Sequence, residues 1–274
     1  MLRTRVLTAV LLLAGFLAAL FWLPRAGWIT VVALALSAAA WEWAGLAGLG
    51  RVGRVIYAAG VAAAAFWAGW NSLADMGTLF GRSWLYLAAC VFWAALAPVW
   101  LWERPAFATP VVPLLSGLVV LIPNAAAMVE LRDQSPLLLL GTMAVVWVSD
   151  IAAFLAGHRF GRRKLAPSIS PRKTWEGVIG ALAAVTVYAT GWLVAGAGPM
   201  PEALGRASLG GLWFVILLLA LAVAGIVGDL LESQMKRVAG VKDSGGLLPG
   251  HGGVLDRVDA LLPVLPLAAL AFLT

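Results

Sequence analysis

Residues 209–228 read LGGLWFVILLLALAVAGIVG, and residues 229–259 continue as DLLESQMKRVAGVKDSGGLLPGHGGVLDRVD. The first segment carries no charge and is as long as a helix must be to cross the roughly 30 Å hydrocarbon core of a bilayer. In lipid the backbone must satisfy its own hydrogen bonds, so such a run is a helix. The second segment changes character at once, opening on Asp229 and mixing acids, bases and glycines.

Working outward, the same contrast repeats. Nine candidate spans run approximately Val6–Leu23, Trp28–Leu49, Val55–Leu73, Trp84–Trp102, Ala108–Val129, Leu137–Gly157, Val178–Ala197, Leu209–Gly228 and Val258–Leu273. Breakers and charges such as Pro24-Arg25, Glu103-Arg104-Pro105 and Glu130 to Pro136 separate them. The 274 residues are 62% apolar and 12% charged, about half the charge a soluble domain carries. A large soluble domain is excluded. The net charge of +6 reflects basic loops at a membrane face rather than a nucleic-acid partner. Arg3 and Arg5 before an apolar core resemble a signal peptide, but the core is long and more spans follow, so it reads as an uncleaved first span. The one cysteine, Cys90, supports neither a disulfide nor a thiolate metal site.

Basic residues orient the chain. With the N-terminus inside, the inner segments hold fifteen of the nineteen Lys and Arg, and the outer ones only Arg25, Arg82, Arg132 and Arg206. This follows the positive-inside rule. The expectation is an all-α, polytopic membrane bundle of about nine transmembrane helices, N-in and C-out. Residues 1–135 form an N-terminal region of five helices. Residues 136–274 form a catalytic region with cytoplasmic loops at 158–177 and 229–259.

Chemistry is expected where the bilayer tolerates charge only for a reason. Glu42, Asp150, Asp229, Asp256 and Asp259 lie in or beside apolar helices, where an acid costs about 2.5–3.5 kcal/mol at mid-helix. Asp229 and Glu232 are three apart on one helix face, with Lys236 four further on; Asp256 and Asp259 are also three apart. Hard oxygen donors of this kind suit Mg²⁺, which takes one or two carboxylates and fills its shell with water and phosphate oxygens. Between them, glycines would let backbone N–H groups approach phosphates, and Lys236, Arg237 and Lys242 would neutralise them. His251 is a phosphate donor or a general acid. In the other loop, Ser170-Pro171-Arg172-Lys173-Thr174-Trp175-Glu176 entering a helix would make an anion-binding helix start. Single features here have plain structural readings, as turns, ion pairs or headgroup contacts; their combination within thirty residues points to a metal–phosphate site.

Ser233-x-Met235-Lys236-Arg237, Lys242-Asp243, His251-Gly252-Gly253 and Asp256-Arg257-x-Asp259 together resemble the phosphatidate cytidylyltransferase (CDP-diacylglycerol synthase) family. So does Lys164 to Gly177, and Trp41-Glu42-Trp43 fits as well. The resemblance implies that CTP and phosphatidate give CDP-diacylglycerol and pyrophosphate, with Mg²⁺ as cofactor and a second cation left open. It also implies a homodimer in the bacterial cytoplasmic (inner) membrane, with the site facing the cytoplasm. On that reading Asp229, Asp256 and Asp259 are metal ligands. Lys236, Arg237, Lys242 and Arg257 hold phosphates, and Asp243 orients a lysine or the ribose. His251, Gly252 and Gly253 shape the triphosphate pocket, while Ser233, Arg172 and Lys173 help bind the substrates. The chain departs from the family after Asp150, where Ile151-Ala152-Ala153-Phe154 lacks two hydroxyls common in members. Another lipid phosphate, such as an isoprenoid phosphate, is the competing substrate. An ion-coupled transporter is the competing class, disfavoured by the absence of repeated halves.

Overall fold

The computed structural model describes residues 2–71, 83–105, 109–196, 200, 202, 210–248, 250 and 252–273, with side chains from residue 8 onward. The helices are α1 (Leu2–Trp22), α2 (Arg25–Leu46), α3 (Arg51–Trp70), α4 (Ser83–Val91), α5 (Ala97–Glu103), α6 (Val111–Gln134), α7 (Pro136–Phe160), α8 (Trp175–Ala195), α9 (Gly211–Val238), α10 (Leu255–Val258) and α11 (Leu261–Leu273). A π-helical turn, Phe92–Leu96, fuses α4 and α5 into one rod, Ser83–Glu103. Pro98 accounts for that turn: it has no N–H for the carbonyl four residues back, and its ring crowds that carbonyl, so the ladder widens just before it.

Among the described residues, seven helices are long and apolar enough to cross a membrane, counting α4–α5 as one. The described part of α1, Thr8–Trp22, and α11 are shorter apolar helices. Large apolar side chains such as Val52, Ile56, Trp67, Ile151, Ile179 and Val194 point outward, a surface suited to lipid rather than water.

Packing fixes the frame. α7 and α8 lie side by side, and a Cβ added to Gly177 would come 2.9 Å from the Ala153 carbonyl. Backbones approach this closely only where a residue is small, which is how helices associate without a hydrophobic driving force. Buried Asn124 donates to Leu262 O at 2.8 Å and Val120 O at 2.7 Å, tying α6 to α11. At one end Arg25 pairs with Asp133 at 2.8 Å, and Arg132 donates to Leu20 O, fastening α1 and α2 to α6.

Three expectations need correction. The 158–177 segment is not wholly a loop: β1 (Lys164–Ala166) and β2 (Ser170–Thr174) form an antiparallel hairpin, Lys164 opposite Thr174 and Ala166 opposite Ser170. α8 starts at Trp175, three residues before the expected Val178, because Thr174 caps it by accepting from Gly177 N at 3.2 Å. α9 runs through Asp229 to Val238, so the first third of the 229–259 segment is helix. Nothing breaks it until Gly240, whose φ is +70°. There Gly240 N donates to Arg237 O and Val241 N to Lys236 O, a glycine-terminated helix end.

Candidate active site

Because α9 is unbroken, Asp229, Glu232, Ser233 and Lys236 share one face. Ser233 Oγ donates to Asp229 Oδ1 at 3.2 Å, so Ser233 steadies an acid. From this face two clusters are built.

The first is a cavity of about 250 Å³ between α7, the hairpin, α8 and α9. Asp150, Arg172, Lys173 and Asp229 supply its charge, and Phe154, Val178 and Ile226 its apolar wall. Lys173 Nζ lies 2.5 Å from Asp229 Oδ2. Asp259 stands close enough for the Asp229 charge to act on it. Gly228 permits this: a Cβ there would fall 2.5 Å from Asp259 O and 2.8 Å from Pro263 Cδ, so α9 and α10–α11 meet at backbone distance. At the start of α8, where an anion site is expected, two amides are engaged within the chain: Trp175 N donates to Arg163 O at 2.9 Å and Gly177 N to Thr174 Oγ1 at 3.2 Å. The positive charge of the cavity comes from β2 instead.

The second cluster centres on Asp256. Lys236 Nζ, 2.6 Å from Asp256 Oδ1, also pairs with buried Glu232. Asp256 Oδ2 accepts from Gly253 N at 2.8 Å and Ser244 N at 3.1 Å. Burial pushes this carboxyl upward, but Lys236 and the Gly253 amide outweigh it and hold the group at about 2. Gly252, at φ +83°, turns the chain so that its carbonyl accepts from Leu248 N at 2.9 Å; a side chain would be strained there. Lys242, Asp243 and Arg257 are exposed at the rim. Arg237 Nε donates to Ile169 O at 3.2 Å, joining α9 to the hairpin turn.

The structure thus draws Arg172, Lys173 and Asp229 to one cluster, and Lys236, Gly252, Gly253 and Asp256 to another; Asp259 stands between them, within reach of the charges of Asp229, Lys236 and Lys173. His251 lies outside the described residues. Among the described residues no three His, Cys, Asp or Glu side chains gather as a metal site, so Asp229, Asp256 and Asp259 are not one three-acid group. Sequence reasoning missed Gly228, which carries no sequence signal. It flagged Glu42 as a charge in an apolar run and as part of the Trp41-Glu42-Trp43 group, without a site role; that carboxylate reaches the second cluster, accepting from Ser244 Oγ and Leu255 N.

A family model described as the cytidylyltransferase family matches residues 3–274. This chain belongs to the cytidylyltransferase family. Its similarity to members runs nearly end to end: it is 40% identical over 285 residues to a Pseudomonas aeruginosa protein named phosphatidate cytidylyltransferase, covering 98% of this chain and 96% of that one. A Haemophilus influenzae protein of the same name is 36% identical over 288 residues, covering 97% and 96%. A Bacillus subtilis namesake is 43% identical over 122 residues, covering 44% of this chain and 42% of that one. Membership places the two clusters in a nucleotidyl-transfer family, whose chemistry brings phosphates together.

Proposed function

We propose that this chain joins CTP to phosphatidate, giving CDP-diacylglycerol and pyrophosphate. The observation that carries the reading is its near full-length similarity to proteins named for that activity. The first cluster is consistent with it. A cavity with Arg172 and Lys173 on one side and Phe154, Val178 and Ile226 on the other suits a lipid phosphate whose chains stay in the bilayer.

The reaction makes two polyanions meet, so neutralising and aligning them is most of the catalytic task. An oxygen of the phosphatidate phosphate attacks the α-phosphorus of CTP. The new O–P bond forms as the bond to the β-phosphate oxygen breaks, and pyrophosphate leaves with that electron pair. Arg172 and Lys173 hold the lipid phosphate. Arg237, Lys242 and Arg257 face the triphosphate, with Gly252, Gly253 and His251 shaping its pocket and Asp243 orienting a lysine or the ribose. Lys236 acts through Asp256, since both Glu232 and Asp256 engage it. A general base is unnecessary, because phosphatidate is already ionised near neutral pH.

The residues fit Mg²⁺. Asp229 and Asp259 are hard donors near enough for the charge of one to act on the other, and Asp229 already draws a cation, the Lys173 ammonium; Mg²⁺ needs no more than one or two carboxylates. Bound there, it would supply a Lewis acid for phosphate oxygens and the leaving pyrophosphate. Asp256, with both oxygens engaged, serves the loop. The sorting of basic residues supports nine spans, N-in and C-out, in the bacterial inner membrane with both clusters on the cytoplasmic side. A homodimer is the expected assembly.

The test is conversion of labelled CTP to lipid by purified protein in vesicles offering phosphatidate or an isoprenoid phosphate. Product from phosphatidate is expected. Product from the isoprenoid phosphate alone overturns the substrate, and no CTP-dependent lipid product overturns the activity.

A further inference from the structure

Glu42 lies on α2, some two hundred residues in sequence from its partners in the second cluster, and is 1% exposed. A carboxylate buried this deeply is costly unless it is bonded. Its Oε2 accepts from Ser244 Oγ at 3.0 Å and from Leu255 N at 2.8 Å. Ser244 stands between two acids, since its backbone N–H points to Asp256. Leu255 opens the one-turn helix that carries Asp256 and Arg257. Gly245 and Gly253 both pack on the Glu42 carboxylate, and a Cβ at either would collide with it. The same carboxylate therefore touches the segment near both of its ends.

A glycine-rich segment loses much conformational freedom on ordering, and something must hold it. We infer that Glu42 is a positioning residue for nucleotidyl transfer: it holds the Ser244–Asp256 segment so that Lys242 and Arg257 face the CTP phosphates. This rests on the activity proposed above and extends its machinery into the N-terminal helices.

The test uses the full chain in nanodiscs. Glu42→Ala strips two donors of their buried acceptor, and kcat/KM for CTP per folded enzyme is expected to fall about 10- to 100-fold. Glu42→Gln keeps an accepting oxygen at the same place and should recover most of that loss. Ser244→Ala removes one of the two contacts and should cost about 3- to 10-fold. The Glu42→Ala/Ser244→Ala double variant should be no worse than Glu42→Ala alone, because the two residues share one interaction. Hydrogen exchange should show the Leu255 amide deprotected in Glu42→Ala and protected in Glu42→Gln. A lower melting temperature with unchanged CTP kinetics per folded molecule overturns the inference, as does strict additivity of the two variants. If Glu42→Ala does not fold, Ser244→Ala and Glu42→Gln decide. Wild-type protein that makes no lipid product refutes the activity, while the exchange data still test the clamp.

Discussion

Replacing Asp256 by Asn separates two roles for this acid, metal ligand and loop anchor. As a metal ligand, its loss would weaken Mg²⁺ binding. In the structure its oxygens are engaged within the chain: Oδ1 takes Lys236 at 2.6 Å, and Oδ2 takes Gly253 N at 2.8 Å and Ser244 N at 3.1 Å. The side chain is 8% exposed, so little solvent replaces what is lost. Asn keeps one accepting oxygen. If it faces Gly253 and Ser244, its NH₂ meets the Lys236 ammonium, donor against donor; if it turns round, Gly253 N loses its acceptor and Ser244 N keeps only the longer, 3.3 Å contact. Either way one buried donor set is left unpaired, at about 1–3 kcal/mol. Lys236 keeps Glu232, which holds the cost below the 3–5 kcal/mol typical of breaking a buried ion pair outright. At about 1.4 kcal/mol per tenfold, kcat/KM for CTP should fall about 5- to 150-fold. The Mg²⁺ concentration for half-maximal activity should stay within about twofold of wild type, since a ligand loss would move it by far more. The assay is CTP incorporation into lipid in nanodiscs across a Mg²⁺ titration. Rescue of Asp256→Asn by high Mg²⁺ would refute the loop role, and near wild-type turnover would refute both roles.

Gly228→Ala puts a methyl 2.5 Å from Asp259 O. Overpacking of this kind costs about 1–3 kcal/mol, so thermal unfolding should come several degrees lower and the Mg²⁺ requirement should rise. Gly225→Ala, whose methyl would find nothing nearer than 3.4 Å, is the control and should change neither. Lys173→Met removes the ammonium that pairs with Asp229 and a phosphate contact; kcat/KM for phosphatidate should fall about 10- to 100-fold, and a change confined to stability would contradict that. Chelating Mg²⁺ should abolish incorporation, and adding it back should restore the rate; activity in excess chelator would dismiss the metal proposal. Asp256 has its folded pKa lowered to about 2, so its contribution is complete above its unfolded value of roughly 3.9 and is lost as pH falls through 2. Protection factors at the Ser244 and Gly253 amides should therefore be constant from pH 7 to pH 5, and a loss within that window would show that the carboxylate is not their partner.

The sequence by itself determined the class of the molecule. Uncharged runs of bilayer length admit only helices, and the i, i+3 and i+4 spacing of Asp229, Glu232 and Lys236 already placed them on one face. It also marked out the candidate site, because acids and bases inside an apolar chain stand out against a uniform background, and the dense motif from Ser233 to Asp259 pointed to a family. Its edges were less legible. Val178 seemed the natural start of a span because it opens the apolar run, yet Thr174 caps the helix and Lys164 to Thr174 pairs as a hairpin. Hydropathy sees neither a hydrogen bond nor a short strand pair. What only the tertiary structure decided is which partners each acid keeps. Asp229, Asp256 and Asp259 are equal as letters. Gly228 lets one backbone approach Asp259, while two amides and Lys236 close around Asp256. Glu42 joins from the far end of the chain, and no local spacing could reveal that, since its partners are chosen by helix packing across more than two hundred residues.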